Sequence, residues 1–242
     1  MKLTINQQQR YAKMRAHTAT HLLHAALMQY FPNTKQAGSL VDSDLLRFDF
    51  YADTLLTTQQ LKAIELLINQ QIYSAFPVSL TETSFDEALQ LGAKAFFEEK
   101  YDERVRVIRV HNGDNVISAE LCGGTHVENT KDIGAFSILS QEAVASGIKR
   151  LTAITGPKVI EHLHTLETLL DEQVKAFEIK SYAQITEKTT KFLKEYEAMK
   201  STLESLEHQQ LRQLFQMLES REHPDFQIIL ELPTTTNFKI LP

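Results

Sequence analysis

Cysteine occurs only once in the 242 residues, at Cys122, so no internal disulfide can form. A reducing, cytoplasmic setting is the expected one. No apolar run approaches the roughly eighteen residues that a membrane span requires. The opening MKLTINQQQR lacks a signal-peptide pattern, so no membrane association is expected. Excess positive charge is missing too. A formal net charge of −6 argues against broad, non-specific capture of nucleic acid, and no DNA partner is expected. A local pocket could still hold a nucleic-acid end. Glycine and proline vanish between Lys158 and Arg221, which excludes a chain of tight turns there and calls for long helices.

What is present suffices for a sizeable core: 43% of the residues are hydrophobic and 23% charged, a balance that excludes compositional disorder. Ala16, Leu23, Leu27 and Phe31 recur at helical spacing, which predicts a helix over 6–30 that Pro32-Asn33 stops. Strands are predicted at 36–41 and 45–51, where Leu46, Phe48 and Phe50 alternate with Arg47 and Asp49. Leu61, Ile64, Leu67, Ile68 and Ile72 mark an amphipathic helix over 57–74. A strand at 77–81 precedes a short helix to Leu91, capped by Ser84 with Glu87 completing a capping box. A hairpin over 104–111 and 116–121 turns at Asn112-Gly113, and strands follow at 133–140 and 148–155.

The expected class is α+β: a mixed, largely antiparallel sheet with packed helices and a zinc site, over residues 1–156. Residues 157–222 are expected to form an antiparallel helical hairpin. Pro157 suits its first turn, and Leu163, Leu170 and Phe177 repeat every seven residues, as do Ile185, Phe192, Met199 and Leu206. Ser181 is the expected N-cap of the second helix. Such an exposed stripe would serve self-association or docking. The tail, 223–242, holds one strand-like stretch at 226–232.

Two short pairs carry the chemistry. His17 and His21 are four apart on the first helix, so they project from one face about a turn apart and can share a metal ion. His24, three further on, is expected to be an ordinary helix histidine. Cys122 and His126 form the second pair, with Gly123, Gly124 and Thr125 between them. One thiolate and three imidazoles suit a zinc tetrahedron. Gly123 and Gly124 let the backbone turn sharply, and would leave N–H groups to face an anion or a developing oxyanion in a bound substrate. The H-E-x-x-H metalloprotease pattern fails, because Thr18, Ala19 and Thr20 separate the histidines. The deaminase pattern, H-x-E with a later P-C-x-x-C, is also absent. Pairs so distant in sequence fit a pocket better than a zinc finger.

These motifs, in this order, resemble the editing domain of alanyl-tRNA synthetase: RAHTATHLLH at 15–24, QAGSLV at 36–41, LRFDF at 46–50, EEKYDERVRVI at 98–108, LCGGTHVEN at 121–129, Ile133-Gly134 and ASGIKRLTAITG at 145–156. The predicted hairpin is similar to the helical linker that follows that domain. Threonyl-tRNA synthetase editing domains and free-standing AlaX-type deacylases share the zinc pattern. The resemblance implies hydrolysis of serine or glycine from the acceptor end of tRNA(Ala), with Zn2+ held by His17, His21, Cys122 and His126. Gln36 falls where the family places a residue beside the aminoacyl group, and Thr125 lies within the second ligand motif. Both are implied to act on the substrate.

A site that hydrogen-bonds the serine hydroxyl can reject alanine, which would leave buried polar groups unpaired. Four protein ligands fill a tetrahedral zinc, which favours a positioning role unless one ligand is loose. The chain departs from the family at Phe96-Phe97-Glu98, where glycine or methionine is usual and a wall of the pocket would change. No counterpart of the aminoacylation domain is found in the 242 residues, so an excised fragment or a free-standing trans-editing protein is expected rather than a charging enzyme. The competing expectation is a non-catalytic, zinc-stabilised module that binds tRNA or a synthetase.

Overall fold

In the computed structural model, residues 4–94 and 103–219 are described; the expectations placed on Phe96–Glu98 and on 226–232 lie outside them. The chain divides into two compact units, Met1–Leu169 and Leu170–Pro242. All β-ladders of the described residues are antiparallel, and they form two sheets rather than the single one expected.

Helix α1 spans Gln7–Leu27 and begins where Asn6 accepts a hydrogen bond from the Gln9 N–H, the geometry of an N-cap. It ends three residues earlier than expected. The chain tightens instead into short turns, with the Tyr30 and Phe31 N–H groups both donating to the Leu27 carbonyl, and Pro32 ends them. From Ala16 to Leu27 only His17 and Ala25 are not fully buried. The reason is position: α1 packs against strands of both sheets and against α2 (Thr58–Tyr73). Helix α2 starts with a capping box between Thr57 and Gln60 and turns Ile64, Ile68 and Ile72 inward, one every four residues.

The four-stranded sheet runs β1 (Gln36–Asp42), β2 (Leu45–Tyr51), β7 (Ile148–Thr155), β6 (Phe136–Ala145). Phe48 pairs with Leu151 and Leu46 with Ala153, so these side chains share the face that meets Leu22, Leu23 and Leu27 of α1 in the core. Arg15 fixes α1 to this sheet. Its guanidinium grips the Asp44 carboxylate through two bonds of 2.7 and 3.0 Å at the β1–β2 turn. The same side chain explains Gly156, where a Cβ would lie 2.7 Å from Arg15 Nε and where φ is +58°.

The three-stranded sheet runs β3 (Val78–Ser84), β4 (Arg104–Asn112), β5 (Asn115–Leu121), and the short helix α3 (Phe85–Gln90) follows β3 with the expected Ser84–Glu87 capping box. The hairpin turns at Gly113-Asp114, one residue later than expected, because Asn112 pairs with Asn115 and Gly113 takes the positive φ of +58°. Along β5, Ser118, Ala119 and Glu120 are all buried, so this strand is covered on both faces.

Helix α4 (Pro157–Ala176) leaves the first unit, and α5 (Ile185–Glu219) makes up most of the second. Ser181 stands at the N-cap position of a 3-10 turn, Tyr182–Gln184, rather than of α5, and its side chain makes no capping hydrogen bond. Phe177 meets Phe192 edge-on at 6.1 Å, and Tyr182 donates to Asp171, closing the connection between the helices. Leu163, Phe192, Met199 and Leu206 of the seven-residue stripes stay exposed. No helix among the described residues is long and apolar enough to cross a membrane.

Candidate metal centre

Among the described residues, one group of side chains could hold a metal ion: His17, His21, Cys122 and His126. Helix α1 presents the first two on one face, and the loop leaving β5 presents the others. Their ligand atoms all lie within 4.8 Å of one another. Cys122 Sγ is 3.4 Å from His17 Nε2 and 3.3 Å from His126 Nε2. Zinc bonded to nitrogen at about 2.1 Å and sulfur at about 2.3 Å in a tetrahedron separates its ligands by about 3.3–3.6 Å. The sulfur–nitrogen spacings fit.

A second observation agrees. His21 is buried, and its Nε2 has no hydrogen-bond partner among the described residues. A buried polar atom left so is costly, and a cation would satisfy it.

The electrostatics suit a cation as well. Burial pushes the Cys122 thiol up, but the hydrogen bonds to His126 and His17, with His21 close by, outweigh it and hold the thiol down to about 3, a thiolate at neutral pH. Burial holds His126 down to about 4, so its imidazole is neutral, as a ligand must be. Burial would lower His21, yet the Glu120 carboxylate and Cys122 push it up to about 10. That proton is the one a binding metal ion would displace.

The loop is built around this cluster. Arg106 of β4 donates to the carbonyls of Gly123 at 2.9 Å and Gly124 at 3.3 Å, pinning both glycines. The Gly124 N–H points to Cys122 Sγ at 3.5 Å, so it is turned to the thiolate and not left for a substrate anion. Thr18, fully buried, sits 3.2 Å from His126 Nδ1 and accepts from the Val127 N–H at 3.2 Å. With Nδ1 held there, Nε2 of His126 faces the cluster. Gln36 stands on the edge strand β1, where its amide donates to Ser39 Oγ at 3.1 Å. Thr125 and Gly123 are exposed at the loop surface.

Three residues that the sequence did not single out shape the site: Thr18, Arg106 and Glu120. Glu120 had a usable signal. It is two residues before Cys122 on a strand, hence on the same face. Thr18 and Arg106 had none, since their partners are distant in sequence.

Gly124 has no freedom to change. A Cβ there would sit 2.1 Å from His17 Cε1 and 2.4 Å from Nδ1. Gly124→Ala is therefore expected to push His17 out of the cluster and weaken zinc binding by about 100-fold, in the range seen when a ligand's support is lost. Gly123→Ala, whose Cβ meets nothing within 4 Å, is the control and should bind zinc as the parent does. Chelator competition measures both.

Residues 105–152 match the family described as threonyl and alanyl tRNA synthetase second additional domain. An alanine–tRNA ligase of Lactobacillus acidophilus is 46% identical over 171 residues, covering 70% of this chain and 19% of that protein. That of Fervidobacterium nodosum is 42% identical over 203 residues, 84% of this chain and 23% of its own. The Thermotoga maritima ligase shows 46% identity over 171 residues. The chain resembles the editing segment of alanyl-tRNA synthetase. It spans about a fifth of the length of these relatives. The family match begins on β4 and ends on β7, so it takes in Cys122 and His126 while α1, with His17 and His21, lies before it.

Proposed function

We propose that this chain is an editing hydrolase that removes serine or glycine from the acceptor end of tRNA(Ala), in a cytoplasmic setting that keeps Cys122 reduced. The observation that carries the reading is the convergence of His17, His21, Cys122 and His126, in a chain 41–46% identical to alanine–tRNA ligases. These four side chains would hold Zn2+. When bound, the ion would supply positive charge that helps to orient the aminoacyl ester.

The chain's own residues do the rest. Arg106 holds the Gly123 and Gly124 carbonyls, which keeps the ligand loop in one conformation when the tRNA end arrives. Thr125, exposed beside His126, and Gln36, half-buried on β1, are the polar groups proposed to read the amino acid. Gln36 would exchange its bond with Ser39 for one to the serine hydroxyl. Correct alanine offers no such hydroxyl, which is the basis for sparing it. Water adds to the ester carbonyl carbon, the bond to the ribose oxygen breaks, and that oxygen leaves with a proton as the free 3′-terminal hydroxyl.

The test is deacylation of tRNA(Ala) charged with serine, glycine or alanine. Serine and glycine should be released at least about tenfold faster than alanine, a modest discrimination for a site that reads one hydroxyl or one missing methyl. Release no faster than spontaneous hydrolysis for all three would leave only a tRNA- or synthetase-binding module.

A further inference from the structure

Glu120 is a buried carboxylate in contact with the metal group, and the proposed chemistry assigns it nothing. Only 5% of its surface is exposed. Each of its oxygens takes a different histidine of α1: Oε2 meets His21 Nδ1 in a close ion pair, and Oε1 lies 3.0 Å from His24 Nδ1. Ser118 Oγ also donates to Oε1, at 3.4 Å. An ionised carboxylate can only accept. A histidine that meets it through Nδ1 therefore does so with an N–H, which in a neutral His21 leaves the Nε2 lone pair for a cation.

His24 is placed to serve Glu120 and not the metal group. It is absent from the four residues whose ligand atoms converge, it is 1% exposed, and its ring rests against Phe48 with centroids 5.3 Å apart. Its position three residues after His21 sets the two Nδ1 atoms side by side on one helix face, opposite the two oxygens of one carboxylate. The strand supplies the matching alternation, with Ser118 and Glu120 on one face of β5 and Cys122 just past its end. Its backbone is held there as well: the Lys94 N–H donates to the Ala119 carbonyl, and the Leu121 N–H to the Lys94 carbonyl.

We propose that Glu120, itself oriented by His24, is a positioning residue that fixes the tautomer and direction of His21 as a metal ligand. The proposal rests on the zinc-pocket reading above and adds to it the group that makes His21 competent. A carboxylate that merely satisfied two buried histidines would matter for folding but not for metal affinity.

The experiment uses the full chain and reads zinc affinity by chelator competition, together with the visible spectrum of the cobalt(II)-loaded form. Glu120→Gln keeps the shape and removes the charge. It is expected to weaken zinc binding 10- to 100-fold, the usual cost of losing a partner of a ligating histidine, and to shift the cobalt bands. His24→Phe, which fills the space against Phe48 but has no donor, is expected to weaken binding about tenfold by the same route. His24→Asn, which retains a donor near the Nδ1 position, should recover most of the loss. The two His24 variants carry the measurement even if Glu120→Gln fails to fold without metal. Parent-like affinity and cobalt spectra in Glu120→Gln and His24→Phe would overturn the proposal while leaving the zinc pocket standing. A parent chain that takes up neither metal would overturn both.

Discussion

Cys122→Ala is expected to lower zinc affinity by more than about a thousandfold, which corresponds to about 4 kcal/mol of binding free energy. The reason lies in the donor set. Cys122 is the only anionic ligand of the four, and its thiolate is already formed at neutral pH because His126 and His17 hydrogen-bond to it and His21 lies beside it. Alanine removes the charge, the soft donor and the group that receives the Gly124 N–H. Two measurements check this. Thermal unfolding with and without zinc should show a metal-dependent rise in Tm for the parent, worth about 4 kcal/mol when free zinc is a thousand times the Kd, and none for the variant. Serine release from tRNA(Ala) should fall with it. A variant that folds, binds no zinc and still deacylates at the parent rate would refute the functional reading of the cluster while leaving its geometry intact.

The two ligand pairs were legible in the sequence because each is local. A spacing of four on a helix needs only the helix, and Cys122 to His126 needs only a glycine turn. Local signals also located most elements: Asn6, Thr57 and Ser84 all act as N-caps, and β2 and β7 run over the expected residues. Where expectation and structure part, long-range pairing decides. The division into two sheets depends on β2 finding β7 across most of the first unit, which no periodicity encodes. Strand β6 starts at Phe136 and not at Ile133, because Asn129 caps a 3-10 turn and Gly134, at φ +83°, breaks the backbone before the strand. His24 shows the same limit on the site. Its buried, apolar-flanked position reads as an ordinary core histidine, and only the fold reveals that a carboxylate 96 residues away meets it. Gln36, whose substrate role the resemblance alone implies, donates to Ser39 from an edge strand, and its part in reading serine is a proposal left to the deacylation assay.

Phe48→Ala is expected to cost about 3–5 kcal/mol of stability, the usual range for emptying a buried aromatic site. That is a large share of the roughly 5–15 kcal/mol that holds an average domain together. Phe48 is 1% exposed on the core face of β2, and its ring lies 6.3 Å from Phe50 and 5.3 Å from His24. The second contact gives the substitution an effect that core loss alone would not have. A cavity opened against His24 frees the ring that orients Glu120, so zinc affinity should also drop, by about tenfold if support of a ligating histidine is what is lost. Phe50→Ala separates the two consequences. Phe50 is fully buried and packs on Phe31 at 5.9 Å and on Phe48, so its loss should destabilise the core comparably. It has no ring contact with His24 among the described residues, and zinc affinity of the folded fraction should stay near that of the parent. Urea unfolding of the zinc-free chains gives the first quantity and chelator competition the second. Equal losses of zinc affinity in the two variants would mean that the core supports the metal site only by keeping the chain folded; a loss confined to Phe48→Ala would trace the support through His24 to Glu120 and His21.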